Sequence, residues 1–372
     1  MNILVINWRC PKNPEMGGAE VHMHEIFKRI AARGHEVTLV AHKYKGAPKK
    51  EKFEGINIIR VGDKFLFNKE FKRYYKKNLS RQPFDLVVDD ISKIPLFTPK
   101  YINKPLVGII HHIHGESLYT EIPRLPAMYI IRTEKLIPFV YRNTPIFAVS
   151  ESTKNELAEL GQPEDKIEIL YNAIDQELFN NIKVEKSAEP TITYIGRIKK
   201  YKNLEAIVDA LPAVKDKFPE IKLRIGGSGD HLPKLKAYVK QKGLNNDVEF
   251  LGYLSEEDKA KEMGKAWLFV TMALKEGWGI TVIEANAMGT PVVGSDVPGL
   301  QDSIKDGITG KLVDLNNPQN LADTLLDILG NKDKLEQMSQ NAKDWSSKFT
   351  WDASADFFLE KVYEWYPSLR NK

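Results

Sequence analysis

Glu276 and Glu284 stand eight positions apart in E-G-W-G-I-T-V-I-E-A-N-A-M-G-T-P, a stretch that runs on into V-V-G-S-D. Paired carboxylates can be the acid and base of a glycoside hydrolase, where they lie roughly 5–9.5 Å apart. Eight residues of continuous helix would rise about 12 Å. The spacing therefore leans against hydrolase chemistry, although the glycines between the two leave the true distance open. Gly277 and Gly279 are poor helix residues, whereas Ile280 to Met288 are sound ones. A helix is expected to begin near Ile280 and stop at Gly289, with Pro291 leading into a Val-Val strand. The free N–H groups of its first turn would suit an anion. The plain alternative is that Glu284 only caps or solvates a helix face.

Cations with a similar setting occur in Gly196-Arg197-Ile198-Lys199-Lys200-Tyr201-Lys202-Asn203, between an apolar run and a helical one. Basic loop residues usually serve solubility. At this position Arg197 would offer a planar fork to phosphate oxygens and Lys202 a point charge. Lys199 and Lys200 read as solvated, or as substitutes if the loop differs. Gly17-Gly18-Ala19-Glu20 opens a helix after the strand Ile3–Ile6. It is a tight turn or an anion cradle, and it lacks the G-x-G-x-x-G dinucleotide pattern. Gly226-Gly227-Ser228-Gly229 fails the same pattern, because Leu232 stands where glycine is required. His111, His112 and His114 cluster at the end of P-L-V-G-I-I-H-H-I-H-G. With no cysteine or H-E-x-x-H beside them, zinc is disfavoured and no metal site is expected.

The E-x7-E spacing followed by A-x-A-x-G-x-P-V-V resembles the signature of the retaining family 4 glycosyltransferases. Those enzymes have the GT-B fold: two doubly wound Rossmann-like α/β domains facing each other across a cleft, with a C-terminal helix crossing back to the first. The resemblance continues through G-G-A-E, G-R-x4-K-N and the strand ending at His111, and so covers most of the chain. It implies that Glu284 holds the donor ribose, that Glu276 contacts the donor sugar, and that Arg197 and Lys202 hold its diphosphate. Gly277, Trp278, Gly279 and Ile280 would line the sugar, and Gly17 and Gly18 would lie near the donor phosphate or sugar. His111 would stand beside the sugar, with His112 and His114 as the alternatives if the register slips. Implied too are a UDP- or GDP-sugar as substrate, no cofactor, no metal, and retention by same-face attack in which a donor phosphate oxygen takes the acceptor proton. The acceptor would be a glycan, a lipid-linked sugar or a small molecule, as in glycolipid, cell-envelope or glycoconjugate synthesis. Rival readings are a nucleotide-sugar epimerase and a non-catalytic nucleotide-sugar binder of the same fold.

The elements that must position these residues alternate along the chain. Strands at Ile3–Ile6, Val37–Val40, Ile56–Val61, Leu86–Asp89, Val107–His111, Ile146–Val149 and Ile167–Leu170 are separated by helical stretches, which argues a doubly wound sheet. The alternation restarts at Ile192–Ile195 and continues through Leu223–Gly226, Val248–Leu251, Leu268–Thr271, Val292–Val293 and Lys311–Val313. Residues 1–180 therefore read as a first domain and 190–350 as a second. The polar stretch Asn180–Pro190 reads as the linker, and residues from about 351 to 372 as a helix returning to the first domain.

The 372 residues fit two domains, and 42% apolar with 28% charged content is ordinary for a globular enzyme. One cysteine, Cys10, permits no internal disulfide, and a reduced cytoplasmic setting is the default. The N-terminus reads as a first strand and not a leader, and no apolar run is long enough to span a membrane. Net charge is +4, yet residues 41–82 hold 13 Lys/Arg against 4 Asp/Glu. With Phe65-Leu66-Phe67 and Tyr74-Tyr75 in the same stretch, this reads as a solvated basic face or a peripheral contact with anionic membrane, placing the protein on its inner face. No nucleic-acid motif accompanies the charge. Tyr119 to Arg142 reads as one helix across the first domain, or as an acceptor-facing or membrane-touching surface.

Overall fold

Continuous apolar runs form strands buried on both faces, as parallel sheets flanked by helices require. The computed structural model describes residues 1–372 apart from the side chains of Thr120, Glu121 and Pro318. The chain divides into two units, Met1–Ala173 with Trp351–Lys372, and Ile174–Thr350. Both are Rossmann-like α/β domains built on parallel sheets.

The first unit contains β1 (Asn2–Ile6), β2 (Glu36–Ala41), β3 (Lys50–Phe53), β4 (Ile56–Arg60), β5 (Leu86–Ile91), β6 (Leu106–Ile110), β7 (Ile146–Ala148) and β8 (Ile167–Ile169). Their order is β3-β4-β2-β1-β5-β6-β7-β8, parallel except where β3 pairs antiparallel with β4. Ile6 is in register with both Val40 and Asp89, so β1, β2 and β5 finish level. The strand order reverses at β1, between β2 and β5, and the loops leaving β1 and β5 open there. β3 escapes the sequence reading because Lys50-Glu51-Lys52-Phe53 is charged, as edge strands often are.

The second unit contains β9 (Thr191–Ile195), β10 (Lys222–Gly226), β11 (Val248–Gly252), β12 (Leu268–Thr271), β13 (Val292–Ser295) and β14 (Gly310–Val313). The order β11-β10-β9-β12-β13-β14 is the 3-2-1-4-5-6 winding of a dinucleotide-type sheet, all parallel. Ligands of such sheets lie beyond the strand C-termini where the order reverses, here after β9 and β12.

Three expectations are corrected. The boundary falls at Ala173/Ile174 and not within 180–190. The latter stretch is tied to the second unit: Lys186 Nζ donates to Ala266 O and Thr290 Oγ1 at 2.6 Å each, and Trp267 Nε1 donates to Ser187 O at 2.8 Å. Second, the single helix over 119–142 is three, Leu118–Glu121, Arg124–Glu134 and Ile137–Val140. Pro123 cannot donate to a continuing helix, and the restart after Lys135-Leu136 carries Pro138 in its first turn. Third, the aromatic residues of the basic region do not form one exposed set. Phe67 and Tyr75 are buried while Phe65 and Leu66 stay exposed.

The helix Trp351–Trp365 belongs to the first unit. Phe358 packs edge-on to Phe27 at 5.2 Å between centroids, and lies 5.1 Å from Phe147.

Candidate functional site

In the second unit the loop after β9 carries Arg197 and Lys202, and the loop after β12 carries Glu276, so the winding alone brings them to one end of the sheet. Lys202 Nζ lies 2.5 Å from Glu276 Oε2, and both side chains are mostly shielded from solvent. Burial alone would lower the Lys202 pKa. The Glu276 carboxylate, with the Tyr201 and Tyr194 phenols, outweighs that and holds it well above the ordinary lysine range. Arg197 is exposed and donates from Nη2 to Tyr201 Oη at 3.2 Å. Beneath them, buried Tyr194 donates to Arg197 O at 3.0 Å. Burial pushes its hydroxyl up to about 12, and the fields of Lys202, Glu276 and Arg197 all reach it. Lys199 pairs with Asp230 at 2.8 Å in a largely exposed ion pair.

Gly279 sits at φ +81°, a conformation that disfavours any side chain, and the helix Ile280–Ala287 starts directly after it. Trp278 is 3% exposed and packs edge-on to Phe349 at 5.1 Å. Its indole is core, so only its backbone is left to meet a ligand. Glu284, on the buried side of that helix, does not join Glu276. Its Oε1 accepts from Lys259 Nζ at 2.7 Å, while its Oε2 is buried without a partner. Burial raises the Glu284 pKa, and Lys259 opposes the shift. An orphaned carboxylate oxygen is costly in a folded chain and marks a place where a hydroxyl donor would fit. Gly227, in the glycine run after β10, has φ +121°, and a Cβ there would collide with Gly196 O. That run lets two loops approach closely.

In the first unit, Asp90 near the end of β5 accepts from Asn7 Nδ2 at 2.7 Å and lies 2.9 Å from His111 Nε2. Gly17 donates its N–H to Glu20 Oε2 at 2.7 Å, so the chain's own carboxylate satisfies the first donor of the helix Gly18–Ala32. Arg9 lies 3.8 Å from Glu20 Oε1. The Glu20 carboxylate acts on His111, which places the Gly17–Glu20 turn and His111 in one cluster. His112 and His114 form a separate pair at 2.9 Å between Nε2 atoms, with His114 Nδ1 2.9 Å from Glu134 Oε1. Among the described residues no three His, Cys, Asp or Glu side chains converge as a metal site.

His111 and His22 stack edge to face at 5.1 Å. Burial would lower the pKa of His111, but Asp90 and Glu20 raise it above the ordinary value. Burial, aided by the charge of His111, drives His22 well below. By NMR the two should therefore titrate on opposite sides of about pH 6.5. The stability that His111 contributes is fully present below that pH and is lost as pH rises through its folded pKa. Asp90→Asn should shrink the His111 shift. A reversed titration order would refute this account.

Residues 16–178 match the model described as Glycosyltransferase Family 4, and residues 175–345 that described as Glycosyl transferases group 1. The chain is of the family 4, group 1 glycosyltransferase type. An uncharacterized glycosyltransferase of Methanocaldococcus jannaschii is 28% identical, over 95% of this chain and 95% of its own. Sucrose-phosphate synthase from Thermosynechococcus elongatus shares the fold at TM-score 0.80 with 20% identity, covering 99% of each chain. Anabaena HepE, solved with UDP-glucose, aligns at TM-score 0.75 with 17% identity, over 98% of this chain and 100% of that one. The fold of this glycosyltransferase-type chain is accordingly GT-B.

Sequence reasoning did not single out Tyr194, Tyr201, Lys259, Asp90 or Glu20 for the site. Asp89-Asp90 at a strand C-terminus was a readable signal. Lys259 had none, because it lies one helix away from the residue it serves.

Proposed function

We propose that this protein transfers a sugar from a nucleoside diphosphate sugar to an acceptor hydroxyl with retention of configuration, without a metal. The observation that carries this is the Lys202–Glu276 pair beside Arg197 at the switch point of a 3-2-1-4-5-6 sheet. In this reading Arg197 and Lys202 neutralise the diphosphate as it leaves, the charge stabilisation a divalent ion supplies elsewhere. The backbone of Gly277–Ile280 and Glu276 hold the sugar, and Glu284 accepts from the ribose hydroxyls through its unpartnered oxygen. Gly17, Gly18 and His111 belong to the transfer chemistry on the first unit, which also receives the acceptor.

Both glutamates already hold a lysine, Glu276 on Lys202 and Glu284 on Lys259. That disposition suits binding and orientation better than nucleophilic attack, and it supports same-face displacement in which a phosphate oxygen takes the acceptor proton. The UDP-glucose bound to Anabaena HepE makes a UDP-sugar the first donor to try. We place the enzyme in the cytoplasm, acting on a glycan, a lipid-linked sugar or a small acceptor. Among the described residues, no helix is long and apolar enough to cross a membrane.

The test is a thermal-shift screen with UDP-, GDP- and ADP-sugars, followed by transfer assays in excess chelator. A true donor at about 100 times its Kd should stabilise by roughly 2.7 kcal/mol. Transfer should persist in chelator. No stabilisation by any nucleotide sugar would reject the donor site, and loss of transfer restored only by a divalent ion would reject the metal-free mechanism.

A further inference from the structure

Three loops of the first unit meet around Trp8 and Arg9. Arg9 follows β1, and its guanidinium lies over the Trp8 ring at 4.6 Å. Trp8 is pinned by the other two loops. Its Nε1 donates to Lys64 O at 3.0 Å after β4, and its O accepts from His42 N at 3.0 Å after β2. These loops leave the carboxyl ends of strands beside the reversal of strand order, where ligands of such sheets bind. Arg9 Nη1 lies 3.8 Å from Glu20, the carboxylate that acts on His111. The Arg9 cluster is therefore joined, through Glu20, to the histidine of the proposed transfer chemistry.

One carboxylate bridges two of these loops. Glu15 Oε2 accepts from Arg9 Nη2 at 3.1 Å and from Lys64 Nζ at 2.5 Å. Lys64 first, and then Arg9, hold the Glu15 carboxyl below its ordinary range against slight burial. The Glu15 side chain is nevertheless 53% exposed, between exposed Pro14 and Met16, whereas that of Arg9 is 18% exposed. The other acids of these loops are committed elsewhere. Glu20 accepts from Gly17 N–H, and Glu51 pairs with Lys12 and Arg60. Asp63 accepts from the N–H groups of Phe65 and Leu66, and Glu70 lies over Gly62. Arg9 Nε is buried with no acceptor, so the hydrogen bonding of its fork is incomplete. An exposed ion bridge adds little to stability, so Glu15 is readily exchanged for another anion.

We propose that Arg9 and Lys64 form an acceptor subsite for an anionic group, a phosphate or a carboxylate, which Glu15 occupies as an internal stand-in until the acceptor displaces it. The inference rests on the reading that the first unit receives the acceptor, and it narrows that acceptor to a hydroxyl compound bearing negative charge. A planar guanidinium already seated on an indole matches two oxygens of a phosphate or carboxylate with little further ordering. Lys64 adds a second charge from a different loop. A dianionic phosphate attracts this pair more strongly than one carboxylate does, which favours the exchange. A neutral acceptor that pushed Glu15 aside would leave both cations without an anion, so the subsite selects against it.

The experiment follows the Trp8 indole N–H by NMR in the full chain, its peak assigned through Trp8→Phe. Inorganic phosphate or acetate is titrated at constant ionic strength. Both should shift the peak to saturation, phosphate at the lower concentration. Glu15→Gln removes the internal competitor and should tighten phosphate about two- to fivefold. Lys64→Gln, at a largely exposed side chain, should weaken it severalfold. Arg9→Lys keeps the charge but loses the fork, and should weaken it roughly tenfold. A bridge that served stability alone predicts no gain in Glu15→Gln. A Trp8 peak unmoved by phosphate in both wild type and Glu15→Gln would overturn the proposal, as would unchanged or weaker affinity in Glu15→Gln. In transfer assays at saturating donor, phosphate should compete with the acceptor; inhibition that more acceptor does not relieve would remove the subsite from the acceptor's place. Failure of the donor reading shows separately, as no stabilisation by any nucleotide sugar, because the Trp8 titration is read without donor.

Discussion

Lys202→Ala is expected to slow transfer on the order of 10²–10³-fold, the loss typical when one preorganised charge partner of a developing anion is removed. The Lys202 side chain is only 13% exposed, and the shielding makes its charge count for more than that of exposed Arg197. The Glu276 carboxylate keeps it protonated at any working pH. The same pairing makes a control necessary, because removing the lysine strands a half-buried carboxylate. Breaking a fully buried pair costs about 3–5 kcal/mol, and the partial exposure of Glu276 will reduce that here. Lys202→Met with Glu276→Gln removes both charges at similar volume and should recover stability without recovering rate. Measured turnover at saturating donor, alongside the melting temperature, separates the two effects. Normal turnover by Lys202→Ala would discard the diphosphate assignment.

Glu284→Ala should raise the donor KM roughly 10- to 100-fold, the equivalent of one or more hydrogen bonds to a charged acceptor. The pH behaviour is the sharper test. Burial raises the Glu284 pKa and Lys259 restrains the rise. The carboxylate form accepts hydroxyl donors, so kcat/KM should fall as pH drops through that raised pKa. Lys259 is itself held up to about 12, chiefly by Glu284 and Glu256 acting against its burial, and stays charged across this range. Lys259→Met should therefore move the acid limb to higher pH, and Lys259→Arg should restore it. An acid limb identical in wild type and Lys259→Met would show that the lysine only packs. An unaltered KM in Glu284→Ala would show that the ribose reading itself is wrong.

The alternation of strand and helix was legible because buried parallel strands leave unbroken apolar runs, as in Leu4-Val5-Ile6 and Val107–Ile110. The start of the helix at Ile280 was legible because glycine marks it. What was not legible depends on tertiary packing. Whether Glu284 meets Glu276 or Lys259 turns on which helix packs beneath Ile280–Ala287, and local sequence carries no trace of that choice. The boundary at Ala173/Ile174 was missed because residues 180–190 are polar, and polarity was read as freedom. Lys186 in fact hydrogen-bonds Ala266 and Thr290, and Ser187 O accepts from Trp267. Trp278 looked like a ligand-facing aromatic beside a glycine turn, yet Phe349, far along the chain, claims its ring.

The return of the helix Trp351–Trp365 to the first unit has a bearing on how the protein is made. Residues 174–350 are contiguous and can finish folding as soon as they leave the ribosome. The earlier-synthesised strands, by contrast, must wait for the helix Trp351–Trp365 to cover Phe27 and Phe147. Until then that aromatic surface is open to chaperones or to aggregation. Premature termination before Trp351 would thus spoil the half that was translated first, and leave the half translated later with all of its strands.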